Sequence, residues 1–197
     1  RTDGVEFSTQ DYLDLQVLFN LAWTDPDLLD RPALRELVSQ GRSFAEPDKQ
    51  PVLEVHLDAV AATLDIHKEL WMDGNIEVTT TPLAHPILPL ISDTNLALAG
   101  DQTAIMPAER FREPLDAREQ VTRGLEVAER LLGRRPAGMW PGEGAVAQQV
   151  TSIWAGEGIE WIATGEDVLA QTLGTGSFER DAEDTVVDAD TLYAVYA

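Results

Sequence analysis

Apolar residues recur at three- and four-residue intervals in several stretches of the chain, with short β-branched runs between the later ones. Tyr12, Leu15, Leu18 or Phe19, and Ala22 share one face of a helix that Ser8 or Thr9 can cap, that carries Asp11 in its first turn, and that Pro26 stops. A short helix from Pro32 to Gln40 precedes a polar stretch with Gly41, Pro47 and Lys49, which reads as a surface excursion. Leu53, Leu57, Val60, Leu64 and Trp71 then form one stripe of a long helix that closes at Asp73 and Gly74. From Asn75 to Thr81 the character turns β-branched, predicting a strand left at Pro82. Ala117 to Leu132 is the next amphipathic helix, Gly138 to Trp140 a strand end, Ala145 to Gly156 another helix and Ile159 to Ala163 another strand. Helix and strand alternating at this spacing predict an α/β fold, parallel strands with outer helices, in a barrel or an open sheet.

The chemistry concentrates in the loop after the second predicted strand. In Gly138 Met139 Trp140 Pro141 Gly142 Glu143 Gly144, one carboxylate stands between glycines, just after an aromatic residue and a proline. The glycines permit backbone angles closed to other residues and clear space for a ligand. Trp140 offers a flat apolar face on which a sugar ring can stack. A carboxylate after a strand stands where α/β barrels place their chemistry, which makes Glu143 the candidate catalytic residue, although a glutamate there is also what a helix N-terminus favours. His85, held between Pro82 and Pro86, can orient a sugar hydroxyl or merely tie its loop to backbone carbonyls. Glu77 can point into a barrel or pair with an arginine in its wall, a structural role.

Other chemistries find little to work with. His56 and His67 lie eleven residues apart on one helix, about 16 Å along its axis, too far to share a metal. Among three histidines and no cysteine there is no zinc-hydrolase spacing, disulfide framework or thiolate nucleophile, and no phosphate-loop, dinucleotide or serine-elbow pattern occurs. No metal or cofactor is therefore expected. The 197 residues, 44% hydrophobic, are enough for a real core, and no apolar run approaches the roughly 20 residues of a membrane span. The start at Arg1 to Gly4 reads as no signal peptide. A formal charge of -21, from 35 acids against 14 bases, repels phosphate backbones and anionic lipids, so nucleic acid and membrane are poor partners while a neutral ligand stays compatible. Two of the 14 bases are lysines, Lys49 and Lys68, and this acidic, lysine-poor surface suggests a salt-adapted host.

Gly74 Asn75 Ile76 Glu77 Val78 Thr79 followed by His85 Pro86 Ile87 Leu88 Pro89 Leu90, and later the Gly138 to Gly144 segment, resemble two successive signature regions of glycoside hydrolase family 57. Gln10 Asp11 Tyr12, Phe19 to Trp23, Phe111, Pro114, Asp116 and Ala117, and Gly158 to Thr164 are similar to that family's α-amylase and amylopullulanase branch, so the resemblance covers most of the chain. It implies an incomplete, seven-stranded β/α barrel acting on α-glucans or maltooligosaccharides by the retaining mechanism, with Glu143 as nucleophile and His85 and Trp140 shaping the sugar site. Such a site needs a second carboxyl about 5 to 5.5 Å away. In the family that acid is an aspartate in a later signature region, which nothing in this chain matches. The family's opening His-Gln-Pro-like strand has no counterpart before Phe7 either. The resemblance thus implies that residues 1–197 are an internal slice of a catalytic domain, truncated at both ends, whose partner is the remainder of the parent polypeptide and whose open edges favour self-association. Related enzymes usually carry an aspartate at the place of Gly165, which puts a sugar contact from that loop in doubt, while Glu166 keeps its place to line the cleft. Cytoplasmic residence is the family-level expectation. The alternatives are a non-catalytic carbohydrate-binding or structural domain that kept the fold, and a metal-dependent polysaccharide deacetylase, for which the metal spacing is absent.

Overall fold

The computed structural model describes residues 6–196, so the expectations about Arg1 to Gly4 and Ala197 lie outside the described residues. The chain divides into two compact units with a boundary between Glu69 and Leu70.

In the first unit, helix α1 (Thr9–Trp23) starts from a reciprocal cap in which the Asp11 N–H donates to Ser8 Oγ and the Ser8 N–H donates to Asp11 Oδ2 at 2.8 Å. The short α2 (Pro26–Leu29) and α3 (Pro32–Gln40) both open on proline, which loses nothing in a first turn, and α3 ends at Gly41 with φ +69°. The long α4 (Lys49–Met72) follows. Val17, Leu21, Leu34, Leu37, Phe44, Val52 and Val55 form this unit's core. The helices are where the periodicity predicts them, but their buried faces are not. Tyr12, Leu15, Leu18 and Phe19 on α1, and Leu53, Leu57, Val60 and Leu64 on α4, are all exposed. Both helices are apolar on more than one side, so spacing alone does not say which side a neighbour covers.

The second unit carries the α/β part. After the short α5 (Leu88–Ser92) and α6 (Ala97–Gly100) comes α7 (Pro114–Leu132), whose buried Ala117, Val121, Gly124, Leu125, Ala128 and Leu132 keep one helical face. Strand β1 (Gly138–Met139), α8 (Gln148–Gly156), β2 (Trp161–Ile162), α9 (Glu166–Leu173) and α10 (Ala189–Leu192) complete it. β1 and β2 are parallel, with Gly138 opposite Trp161 and Met139 opposite Ile162, and Thr80 joins the other side of β1 through one parallel bridge to Met139. Met139 enters a core with Leu88, Val121, Leu125, Val150, Ile153 and Trp154, so its side of the strand faces the helices. Gly138, pointing the other way, lies beneath the Trp161 indole, where a Cβ would come within 2.3 Å of the ring.

This is a helix-rich, mixed fold with two short parallel strands, a partial α/β arrangement. Among the described residues no closed barrel is formed. The strand expected over Asn75 to Thr81 reduces to the single bridge at Thr80, because the N–H groups of Asn75 and Ile76 are taken by the Leu70 carbonyl at the end of α4. The helix expected from Ala145 starts three residues later, because Ala147 is extended and caps it.

Candidate active site

The site grows from the two chain segments that leave Thr80 and β1 side by side. The Trp140 N–H donates to the Thr80 carbonyl at 2.8 Å, tying the start of the second loop to the first. Pro141 fixes the next step, and Gly142 then brings the chain against the first loop so closely that a Cβ would lie 2.2 Å from the Pro86 carbonyl oxygen. At the crest, Glu143 sits in the left-handed region at φ 56° and ψ 20°, followed by Gly144 at φ +65°. The Thr164 hydroxyl donates to the Gly144 carbonyl at 3.2 Å from the segment after β2. Across the gap, the His85 N–H closes a turn onto the Pro82 carbonyl at 2.8 Å, and His85 also stands in the left-handed region at φ 51°. Two non-glycine residues in that conformation therefore face each other, each at a cost of about 1–3 kcal/mol that the surrounding chain must overcome.

His85 Nε2 lies 3.5 Å from the Glu143 N–H and 3.6 Å from Glu143 Oε1. The two contacts use Nε2 in opposite senses: bare, it accepts the amide, whereas carrying a proton, in the other neutral tautomer or in the imidazolium, it donates to the carboxylate. The Glu143 side chain is 71% exposed and that of His85 45%, so both are open to a ligand. Trp140, 47% exposed, offers its indole on the same loop. Beside the loop a cleft of about 380 Å³ is lined by Ile87, Leu90, Leu96, Ala145, Val146 and Val168. Of the expected site residues, Glu143, His85 and Trp140 thus come from the same pair of loops.

Glu166 is placed differently. It stands in the first turn of α9, and both its carboxylate oxygens accept from Arg180 Nη2, at 2.9 and 2.8 Å. That hydrogen bond raises the guanidinium's hold on its proton, with the Glu166 and Asp184 charges adding to it. Among the described residues Glu77 forms no ion pair with an arginine; it accepts from Trp161 Nε1 at 3.1 Å, bracing the indole that covers Gly138. His56 meets the Thr24 hydroxyl at 2.8 Å, and His67 lies 2.7 Å from the Thr63 carbonyl on an exposed helix face. Among the described residues, no group of three or more His, Asp or Glu could hold a metal ion, and no helix is long and apolar enough to cross a membrane.

Sequence reasoning missed the support under His85, which comes from α7. The Leu83 N–H donates to the Gln120 carbonyl at 2.9 Å and the Ala84 N–H to Gln120 Oε1 at 3.0 Å. One turn on, a Cβ at Gly124 would lie 2.3 Å from the Thr81 carbonyl oxygen. A glycine inside a strongly periodic helix is the sequence signal for such an approach, whereas Gln120 gives none.

A comparison with curated proteins returned no match. Among solved structures, the crystal structure of the novel alpha-amylase AmyC from Thermotoga maritima is similar at 15% identity and a TM-score of 0.49, over 90% of this chain and 30% of that one. The chain therefore spans under a third of that protein's length. A family model described as Glycosyl hydrolase family 57 matches residues 5–197. With the match running over nearly all of its length, the chain belongs to glycosyl hydrolase family 57.

Proposed function

We propose that this chain is part of the β/α-barrel catalytic domain of a retaining α-glucan hydrolase or transglycosylase of amylase or amylopullulanase type, with Glu143 as its nucleophile. The observation that carries the reading is the exposed Glu143 carboxylate on a left-handed crest, opposed by His85 at 3.6 Å, in a chain of this family. A Glu143 oxygen attacks the anomeric carbon and forms a glycosyl ester as the glycosidic C–O bond breaks. The leaving oxygen takes its proton from an acid outside this chain. Water or a sugar hydroxyl then attacks the same carbon, giving its proton back to that acid's conjugate base, and the ester C–O bond breaks to release the Glu143 carboxylate, giving hydrolysis or transfer. His85 orients a hydroxyl of the bound sugar, and Trp140 carries the ring's apolar face. Glu166, in the first turn of α9, enters the reading as half of an ion pair with Arg180 rather than as a free acceptor.

The test is reducing-sugar release from amylose, pullulan and maltooligosaccharides by the chain extended at both ends, beside its Glu143→Gln variant. Activity that disappears in the variant supports a retaining glucanase and names its preferred bond. Glucan binding without turnover in either protein moves the reading to a carbohydrate-binding domain.

A further inference from the structure

We infer that Gln120, on α7, is the positioning residue that sets His85 against Glu143; the inference deepens the proposed function and rests on it for its catalytic consequence. His85 holds a left-handed backbone without being a glycine, so something must hold the residues before it. Three successive N–H groups lead into it, those of Leu83, Ala84 and His85. The third is satisfied inside the turn by Pro82, and the other two both go to Gln120, one to its main-chain carbonyl at 2.9 Å and one to its side-chain oxygen at 3.0 Å. A single residue therefore grips consecutive peptides from two directions.

The grip is rigid because its base cannot shift. Gly124 lets α7 lie directly on the Thr81 carbonyl, and Val121 beside Gln120 is fully buried. On the far side, Gly142 presses the Glu143 loop onto the Pro86 carbonyl. His85 is thus clamped between a helix that sets its loop and a loop that carries its partner. Because a main-chain N–H only donates, the Gln120 amide must turn its oxygen to Ala84, and an acceptor is all the position asks for. Gln120→Met keeps the length and loses the acceptor; Gln120→Glu keeps an acceptor at the same reach.

The experiment has two arms. In the chain itself, NMR follows the Glu143 amide and the His85 imidazole resonances: Gln120→Met is expected to displace both and Gln120→Glu to return both toward their original positions. In the extended protein acting on amylose, Gln120→Met is expected to lower kcat by about 10- to 100-fold with KM little changed, the scale of a misplaced catalytic contact, and Gln120→Glu to restore it. In a His85→Ala background the Gln120→Met loss is expected to vanish, since the two act as one unit. Unmoved resonances in Gln120→Met, a Gln120→Glu variant as altered as Gln120→Met, or losses that add in full with His85→Ala would each overturn the inference. If the extended protein cleaves no glucan at all, the proposed function fails and the resonances alone decide whether Gln120 sets His85.

Discussion

Replacing Glu143 by glycine should stabilise the fold while removing the proposed nucleophile. Glu143 stands at φ 56°, where a Cβ crowds the following carbonyl oxygen at a cost of about 1–2 kcal/mol that glycine avoids. Glycine returns about 0.4–1 kcal/mol of this through the greater freedom of its unfolded chain. With 71% of the side chain exposed, little packing is lost with it. The comparison that isolates the backbone is Glu143→Gly against Glu143→Ala, because alanine lacks the carboxylate but keeps the crowded Cβ. Glycine should exceed alanine by roughly 1 kcal/mol, or about 2–4 °C in melting temperature for a chain of this size. At an ordinary helical position the order is reversed, with alanine ahead by about 0.5–1 kcal/mol. Urea unfolding followed by tryptophan fluorescence, with Glu143→Gln as a second control, reads the order directly. An alanine variant as stable as the glycine variant, or more so, would refute the claim that the crest is strained.

Gly124→Ala should destabilise by about 1–3 kcal/mol in the same urea assay, since its Cβ would meet the Thr81 carbonyl at 2.3 Å, although alanine gains about 1 kcal/mol at an unobstructed helix position. Asp93, hydrogen-bonded to Arg110 and to the Asn95 N–H, is held down to about 2; the unfolded carboxyl, near 3.9, binds more protons between those values, so stability is present above about pH 4 and lost as pH falls toward 2. The melting temperature of Asp93→Asn should therefore fall less steeply over that range than the wild type's. With 35 acids against 14 bases, molar salt should raise the melting temperature by screening repulsion, and an indifferent melting curve would contradict a salt-adapted surface.

Much of this was legible because local rules and packing agree. Ser8 with Asp11, Pro32 with Gly41, and the single face of α7 each specify an element that the structure repeats. In the Glu143 loop, glycines on both sides of one acid predict an unusual backbone, and the structure has one there, with Glu143 and Gly144 both left-handed. Burial on α1 and α4 was not legible: Val17 and Leu21 are inside while Leu15, Leu18 and Phe19 are outside, and both sets satisfy helical spacing. The Asn75 to Thr81 segment has strand composition, yet its first N–H groups finish a helix, a competition that composition does not record. Glu166 could be located in sequence, but its bond to Arg180 bridges fourteen residues and a turn whose closure only three-dimensional structure reveals.

Gly138 and Trp161 are opposite each other in register, and the indole fills the space a side chain at 138 would need. For anyone engineering or comparing related chains, the two positions amount to one letter of the alphabet. A larger residue at 138 becomes admissible only with a smaller one at 161, and losing that ring also strands the Glu77 carboxylate that it holds. Covariation between these columns, with Glu77 as a third member, is the trace this small stretch of sheet should leave in its relatives.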